Sequence, residues 1–381
     1  MLPILAVTGG AYDQGLTHGR ALRDAIDHNL DVYFRRFRDE GQMSRARVLE
    51  RAGHLWERLA DETPEYAAGV RGIAAGAGQD VLAVAALNAR YELLYAQFTL
   101  MALHAESAVD GCTSFALMPA ATADGHTLLG QNWDWIPDVK GAVIVERQPD
   151  GFGRAAFTEA GVFGGKIGLN SHGLGLAING LTSQDDDWSR PADLFHVRCW
   201  QILGERDVDA AVARITRGPR ACSGNFVIAQ AGRGAVDVEA SPMTTCRIAP
   251  DAGGRLVHSN HFFDPEGAGI AETPNVKRFA SVNRLTCLQA SLAARERVSV
   301  DDVQTLLRDH TGYPYSVCRH PDPADASGGD YRTVTSVIMD LDAHAMWVTD
   351  GPPCEAPYQR VRLGEEAIGD RAAEERASTG S

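Results

Sequence analysis

The feature that most constrains this chain is a change of pattern near residue 110. Before it, apolar residues recur every three or four positions, as in Leu22, Ile26, Leu30, Tyr33 and Phe37, and so share one face of a helix. After it come short runs rich in β-forming residues, separated by turn residues. Helices and strands in blocks, without strict alternation, predict an α+β fold with mostly antiparallel sheets.

The predicted strands and later helices can be placed along the chain. The strand-like runs are TSFAL, HTLLGQ, GAVIVER, GLGLAI, NFVIAQ, AVDVEA and RLVHSN, followed by 334–341 and 346–349. Helical patterns return at 193–203 and 276–292, and the small residues of 72–78 predict a close-packed bend. We expect a single domain over 1–363 and a disordered tail over 364–381.

Charge and cysteine usage exclude several classes of protein. The formal net charge is −14, with 50 Asp and Glu against 36 Lys and Arg, which argues against a nucleic-acid partner. No apolar run reaches the roughly 20 residues that span a membrane, and the opening residues do not resemble a signal peptide. The seven cysteines are scattered and form no CxxC pair, so we expect free thiols in the cytoplasm.

Several common sites are missing from the sequence. There is no GxSxG, P-loop, HExxH or dinucleotide-binding glycine motif. His258 and His261 stand three residues apart but lack a third ligand at a useful spacing. We therefore expect neither a metal nor a cofactor.

The segment 110–114, DGCTS, lies where the helical part ends and the strands begin. Gly111 gives the backbone conformational freedom, and the thiol of Cys112 could attack the Gly111 carbonyl. Cutting that bond leaves Cys112 with a free α-amine, whose pKa of about 7.7–8.0 suits a base for its own thiol. On spacing alone, an ordinary turn with a buried cysteine remains the simpler interpretation.

Three polar residues further along the chain favour a site. Asp134 lies between two tryptophans in GQNWDW, and a buried carboxylate needs a partner such as an α-ammonium; an ordinary turn is the alternative. Asn179 and Asn260 each follow a strand-like run. Each either caps a turn or directs an amide N–H at a developing oxyanion.

These segments together resemble a known family. DGCTS, GQNWDW, GLNSHGLGLAINGL and HSNHF, in this order, are similar to the acyl-coenzyme A:6-aminopenicillanate acyltransferase family (isopenicillin N acyltransferase-like proteins) of N-terminal nucleophile hydrolases. GAYDQGLTHGRAL and TPEYAAGVRGIAAGAG fit its N-terminal part, so that the resemblance spans most of residues 9–363.

The resemblance implies a four-layer αββα fold and a precursor that cuts itself between Gly111 and Cys112. The products would be an α chain, 1–111, and a β chain, 112–381, which stay together as a heterodimer. Cys112 would be the nucleophile, Ser114 a hydroxyl that helps processing, and Asp134 the partner of the new α-amine. The resemblance also implies oxyanion or amine-positioning roles for Asn179 and Asn260.

The family pattern also calls for an arginine near the nucleophile, and Arg332, just before the run TVTSVIMDL, is our sequence-based candidate. The expected substrate is a small linear amide or an acyl thioester, with hydrolysis preferred because no coenzyme A-binding motif is evident. The alternatives are a coenzyme A-dependent amine N-acyltransferase and a non-catalytic binding protein. The acidic loop 184–188 either receives a cationic amine or is simply solvated.

Overall fold

Two β-sheets stacked face to face form the centre of the protein in a computed structural model that describes residues 1–102, 111–275, 277–324 and 331–364. Numbered in chain order, the helices are α1 (Ala11–Ala21), α2 (Arg23–Asp39), α3 (Arg45–Glu62), α4 (Pro64–Ala77), α5 (Val81–Asn88), α6 (Arg90–Ala102), α7 (Phe195–Leu203), α8 (Val208–Thr216), α9 (Arg278–Ala293) and α10 (Val300–Leu306). The strands are β1 (Ile4–Val7), β2 (Thr113–Leu117), β3 (Leu128–Trp135), β4 (Gly141–Arg147), β5 (Gly153–Glu159), β6 (Ile167–Asn170), β7 (Leu174–Gly180), β8 (Gly224–Gln230), β9 (Gly234–Ala240), β10 (Thr245–Ile248), β11 (Arg255–His258), β12 (Arg332–Asp340), β13 (Ala345–Val348) and β14 (Gln359–Arg362).

The first sheet has the order β1-β4-β5-β6-β7-β8-β9-β10, and the second has the order β11-β2-β3-β12-β13-β14. Neighbouring strands are antiparallel except β1 and β4, which are parallel. The sheets contact each other through β2 and β3 on one side and β7 and β8 on the other. Helices α7 and α8 pack on the first sheet, and α9 and α10 pack on the second. The α+β prediction and the αββα order of layers are confirmed.

The strand predictions were accurate where apolar runs were long and were incomplete elsewhere. TSFAL and GAVIVER coincide with β2 and β4, and the predicted helix at 193–203 contains α7. The first third is not wholly helical as predicted, because β1 precedes α1 and pairs with β4. β1 has only four residues before a Gly-Gly turn, too few to show a hydrophobic period. Its structure therefore depends on its pairing with β4.

The predicted bend at 72–78 is wrong, because the segment continues α4. Its glycines let α4 approach α1 until the two backbones touch. A Cβ on Gly76 would lie 2.4 Å from the Leu16 carbonyl oxygen, and one on Gly15 would lie 2.0 Å from that of Gly69. The helix ends only at Gly78, which adopts a φ of +71° at its C-cap.

The C-terminal tail predicted from the sequence, except for Gly364, lies outside the described residues. Residues 103–110, just before the proposed cleavage site, lie outside them as well. Among the helices that the structure describes, each is too short or too polar to cross a bilayer.

Candidate functional site

Cys112 lies next to the start of β2, a strand of the second sheet that packs against β7 and β8 of the first. Cys112 precedes β2 directly and has only 6% of its surface exposed. Side chains alternate along a strand, so Cys112 and Ser114 face the first sheet while Thr113 faces the opposite way, toward α9. The contacts agree, because Ser114 bonds to Asn179 on β7 and Thr113 bonds to Arg284 on α9.

The surroundings of Cys112 favour the neutral form of its thiol. Its Sγ lies 4.0 Å from the backbone oxygen of Asp134. Burial, followed by the negative charge of Asp134, raises the pKa of Cys112 to about 12. Because the thiolate is the nucleophile, this cysteine needs a base before it can react efficiently.

Asp134 is a strand residue and not the turn residue that the sequence left as an alternative. It is fully buried on β3, and its Oδ1 accepts a hydrogen bond of 2.7 Å from Thr333. Within the described residues, no hydrogen-bond donor reaches its Oδ2. Burial raises the pKa of Asp134 to about 7, although the charge of Arg284 opposes the shift. One carboxylate oxygen is thus able to accept a further donor.

Asn260 and Arg284 form a bonded pair beside the Gly111–Cys112 bond. The Nη2 of Arg284 donates to Asn260 Oδ1 at 2.8 Å, and its Nε donates to Thr113 at 3.1 Å. Asn260 Nδ2 donates to the Gly180 carbonyl at 3.0 Å. A Cβ added to Gly111 would lie 3.4 Å from the same Nδ2, which places this amide next to the glycine.

The structure corrects the predicted position of the site arginine. Arg332 is 31% exposed and forms a 3.0 Å ion pair with Glu355, away from the residues that surround Cys112. Arg284 is completely buried, and it lies close enough to Asp134 and Cys112 for electrostatic interactions with both to favour its charged form. Burial lowers the pKa of Arg284, but a guanidinium remains charged at neutral pH. Arg284 therefore replaces Arg332 as the candidate.

Gly111, to which the sequence analysis assigned conformational freedom, lies against Asn260. A Cβ added to it would make only ordinary contacts, the nearest at 3.4 Å from Asn260 Nδ2. The space around Gly111 alone therefore does not require a glycine.

The side chain of Asn179 joins the two sheets. Its Nδ2 donates to Ser114 Oγ at 3.0 Å and to the Ser259 carbonyl at 2.9 Å. Both amide hydrogens are therefore engaged, and donation to an oxyanion would require one of these bonds to open. Among the described residues, Oδ1 has no hydrogen-bond partner.

Cys112 lines a narrow cavity with mostly aromatic walls. The polar lining includes Asp134, Asn179 and Asn260, and the aromatic lining is Tyr91, Tyr95, Trp133, Trp135 and Phe195. Tyr91 stacks on Tyr95 and on Phe195, with ring centroids 3.8 and 3.9 Å apart. The cavity holds about 20 Å³, enough for one water molecule but too little for an acyl group. The described residues thus leave little free space next to Cys112.

A buried ionic cluster behind the cavity was not predicted. Glu159 accepts hydrogen bonds from Lys166, Arg90 and Tyr33, and both Glu159 and Lys166 are fully buried. Lys166 Nζ lies 3.4 Å from the ring centroid of Trp133, which lines the cavity. Burial lowers the pKa of Lys166 to about 7, although Glu159 opposes that shift. The charges of Arg90 and Lys166 outweigh burial and hold the pKa of Glu159 well below its usual range.

The histidine pair and the acidic loop both have structural roles. His258 Nε2 contacts Glu239 at 2.8 Å, whereas His261 contacts Ser281, so these histidines do not converge on one point.

In the acidic loop 184–188, Asp186 is buried, and its carboxylate accepts hydrogen bonds from Ser183 and Ser223. That aspartate holds the loop in place and is not part of a solvated acidic surface.

Comparisons with known proteins agree with the resemblance. A family model described as acyl-coenzyme A:6-aminopenicillanic acid acyl-transferase matches residues 121–353, a range that contains Asp134, Asn179, Asn260 and Arg284. The acyl-coenzyme A:6-aminopenicillanic-acid-acyltransferase 40 kDa form of Emericella nidulans is 26% identical over 343 residues, which cover 89% of this chain and 90% of the relative.

Two solved structures show a more distant likeness. A mutant of the conjugated bile acid hydrolase from Clostridium perfringens has a TM-score of 0.48 at 12% identity, over 67% of this chain and 93% of that one. Penicillin V acylase from Agrobacterium tumefaciens has a TM-score of 0.43 at 12% identity, over 67% of this chain and 87% of that one.

Proposed function

Because this chain belongs to the acyl-coenzyme A:6-aminopenicillanic acid acyl-transferase family of enzymes, we propose that it is a self-processing acyl-transferring amidohydrolase whose nucleophile is Cys112. The observation that carries the proposal is buried Asp134, whose charge acts on the Cys112 thiol and whose Oδ2 has no hydrogen-bond donor within the described residues. A buried carboxylate without a donor is costly, and a new α-ammonium at Cys112 would supply one.

Self-cleavage would proceed through a thioester. The Sγ of Cys112 attacks the Gly111 carbonyl carbon, the peptide C–N bond breaks, and the nitrogen of Cys112 takes a proton to become an amine. Water then hydrolyses the thioester, which leaves a carboxylate on Gly111 and restores the thiol. We propose that Asn260, whose Nδ2 would lie 3.4 Å from a Cβ added to Gly111, polarises that carbonyl. The fragments 1–111 and 112–381 would remain together as a heterodimer.

Turnover would reuse the same groups on an external substrate. The α-amine of Cys112 accepts the thiol proton, Sγ attacks an amide or thioester carbonyl, and Asn260 stabilises the oxyanion, joined by Asn179 when its bond to Ser114 opens. The leaving amine or thiol departs with a proton, and an acyl thioester remains on Cys112. Asp134 and Arg284 act as positioning residues, since the first would hold the amine and the second holds Asn260.

The fate of the acyl group decides between hydrolysis and transfer. Water gives a hydrolase, which we propose as the main activity, and a second amine gives an N-acyltransferase. The name of the Emericella nidulans relative favours the second outcome. Release of free acid or of a new amide, measured with N-acylated amines in the presence and absence of acyl-coenzyme A, separates the two.

Seven free cysteines suit a reducing compartment such as the cytoplasm, where we propose that the enzyme works.

The direct test is the state of the purified wild-type chain. We expect two bands on a denaturing gel and an N-terminal Cys112 on the larger fragment, identified by sequencing or by intact mass. The bands should co-elute under native conditions. A folded wild-type protein that persists as one full-length band would refute self-processing and the base that depends on it.

A matched pair of variants tests the assignment of the arginine. We expect Arg284→Met to slow turnover by about 100-fold, since Asn260 loses the donor that holds it and an oxyanion donor of this kind contributes roughly 100- to 1,000-fold. Arg214→Met should retain wild-type turnover because it removes only a partly exposed ion pair between α8 and Glu205, which does not line the cavity. Steady-state rates of folded, fully cut protein give the comparison. Equal rates for the two variants would contradict the assignment.

A further inference from the structure

Two loops outside the cavity bring four metal-binding side chains together. His310, Cys318 and His320 lie between α10 and β12, and Cys354 lies between β13 and β14. Their ligand atoms all fall within 4.8 Å of one another. The group combines two thiols with two imidazoles, which is a ligand set typical of zinc. None of these residues lines the cavity around Cys112.

The distances between the ligand atoms match the edges of a small tetrahedron. The two sulfurs are 3.5 Å apart, and the two histidine Nε2 atoms are 3.1 Å apart. His320 Nε2 lies 3.7 Å from Cys318 Sγ and 3.4 Å from Cys354 Sγ. With Zn–S of about 2.3 Å and Zn–N of about 2.0–2.1 Å, tetrahedral edges run from roughly 3.3 to 3.8 Å. Four of the six distances are thus close to tetrahedral edges, and the two from His310 to the sulfurs stay within 4.8 Å, so a small adjustment of the side chains would let one ion bind all four atoms.

We propose that His310, Cys318, His320 and Cys354 bind one Zn²⁺ ion as a structural site. Binding would displace the protons of both thiols, so that two thiolates and two neutral imidazoles balance the charge of the ion. Four protein ligands complete a tetrahedron and leave no position open for substrate, which is typical of structural rather than catalytic zinc.

The surroundings of the four residues support a formed site. Glu355 Oε1 lies 3.6 Å from His320 Nδ1, the ring nitrogen turned away from the cluster, and Arg332 holds the other oxygen of the same carboxylate. A carboxylate behind a ligating histidine fixes the ring and its tautomer. Arg332, which the sequence suggested for the catalytic centre, would thus serve the metal site.

Backbone hydrogen bonds hold the loop in the same shape. The Cys318 N–H donates to the Asp309 carbonyl at 3.0 Å, and the His320 N–H donates to the Pro314 carbonyl at 3.1 Å. These bonds fold the segment back on itself and bring His310 next to His320. The loop geometry therefore does not depend on the four side chains alone.

The metal site would also support Asp134 from a distance. Between the ligands Cys318 and His320, the Arg319 N–H donates to Thr333 Oγ1 at 3.0 Å, and Thr333 donates to Asp134 Oδ1 at 2.7 Å. A metal that fixes this loop would keep Thr333 oriented toward the carboxylate. Zinc binding is independent of the proposed function, because metal content is measured without substrate.

The test begins with the intact wild-type protein, purified under reducing conditions without chelator. Elemental analysis should find one zinc per chain. Replacing zinc by Co²⁺ should give the visible absorption of tetrahedral cobalt and a thiolate charge-transfer band in the near ultraviolet. Protein that takes up no stoichiometric zinc or cobalt would refute the site, as would a Cys318–Cys354 disulfide that persists under these conditions.

Variants at the two exposed ligands test the site with little disturbance of the core. Cys354→Ser and His310→Gln should each weaken zinc binding at least about 10-fold in a chelator competition, since even changes outside the ligand set cost roughly 10- to 100-fold. The cobalt spectrum of Cys354→Ser should also lose thiolate intensity. Cys246→Ser, which removes a partly exposed thiol on β10, should bind zinc as the wild type does. Wild-type affinity in both ligand variants would overturn the proposal.

Discussion

We expect Cys112→Ala to give a full-length chain that is not cut and does not turn over substrate. The substitution removes the only atom that we expect to attack Gly111, and without the cut no α-amine forms to serve as the base. Loss of both steps makes this the largest effect on activity that the proposed function predicts. A denaturing gel after prolonged incubation, followed by an assay for released amine, measures both.

A buried cysteine elsewhere gives the matched control. Cys199 on α7 is fully buried and does not line the cavity, so Cys199→Ala removes a similar volume without touching the site. It should be cut and active. Cys112→Ser is expected to process more slowly, because an alkoxide forms less readily than a thiolate. Normal cutting in Cys112→Ala would show that another group performs the reaction.

Glu159→Ala should cause the largest loss of stability among the substitutions considered. It leaves Lys166 and Arg90 buried without their shared counter-charge, and breaking a buried ion pair from one side costs about 3–5 kcal/mol. The free energy of unfolding is best measured by denaturant titration in the Cys112→Ala background. The chain is then uncut, and unfolding does not include separation of fragments.

Two controls separate burial from charge in that experiment. Glu62→Ala breaks an exposed pair with Arg58 and should cost under about 1 kcal/mol. Replacing both Glu159 and Lys166 by methionine should recover part of the loss, because Arg90 alone, and no longer Lys166 as well, is then left without its counter-charge. Equal effects of Glu159→Ala and Glu62→Ala would show that the cluster is solvated rather than buried.

The fold was predictable where local pattern and tertiary structure agree. The runs that became β2 and β4 are continuous apolar segments between turn residues, so their local preference matches their buried position. β1 and the α4 glycines were misjudged because their structure depends on distant partners. β1 exists through pairing with β4, and the α4 glycines allow contact with α1.

The site was predictable only in part, for a similar reason. Cys112 and Asp134 lie in short motifs on adjacent strands, so a local sequence match locates them. Arg284 has no motif, since it reaches the site from helix α9 through packing. One signal was available: Ala280, Arg284 and Leu288 share a four-residue spacing, which puts an arginine on the buried face of the helix.

The proposed zinc ligands show the limit of spacing arguments more clearly. Cys318 and His320 are two residues apart. Cys354, however, is 36 residues further along the chain than Cys318 and approaches it through a separate loop. Scattered cysteines in a reducing compartment are usually small buried residues, so nothing in their spacing groups them. The three-dimensional arrangement groups them through contacts between loops.

Strand β1, which pairs in parallel with β4, would have a further structural role if the chain is cut after Gly111. Within the described residues it is the one strand contributed by the segment before Cys112, and it pairs along β4 from Ile4 opposite Val143 to Val7 opposite Glu146. After the cut, that pairing would join two polypeptides. A β fragment produced alone would present β4 as an open sheet edge, which can recruit other chains and aggregate. The N-terminal fragment would therefore protect the β fragment from aggregation by covering the edge of β4.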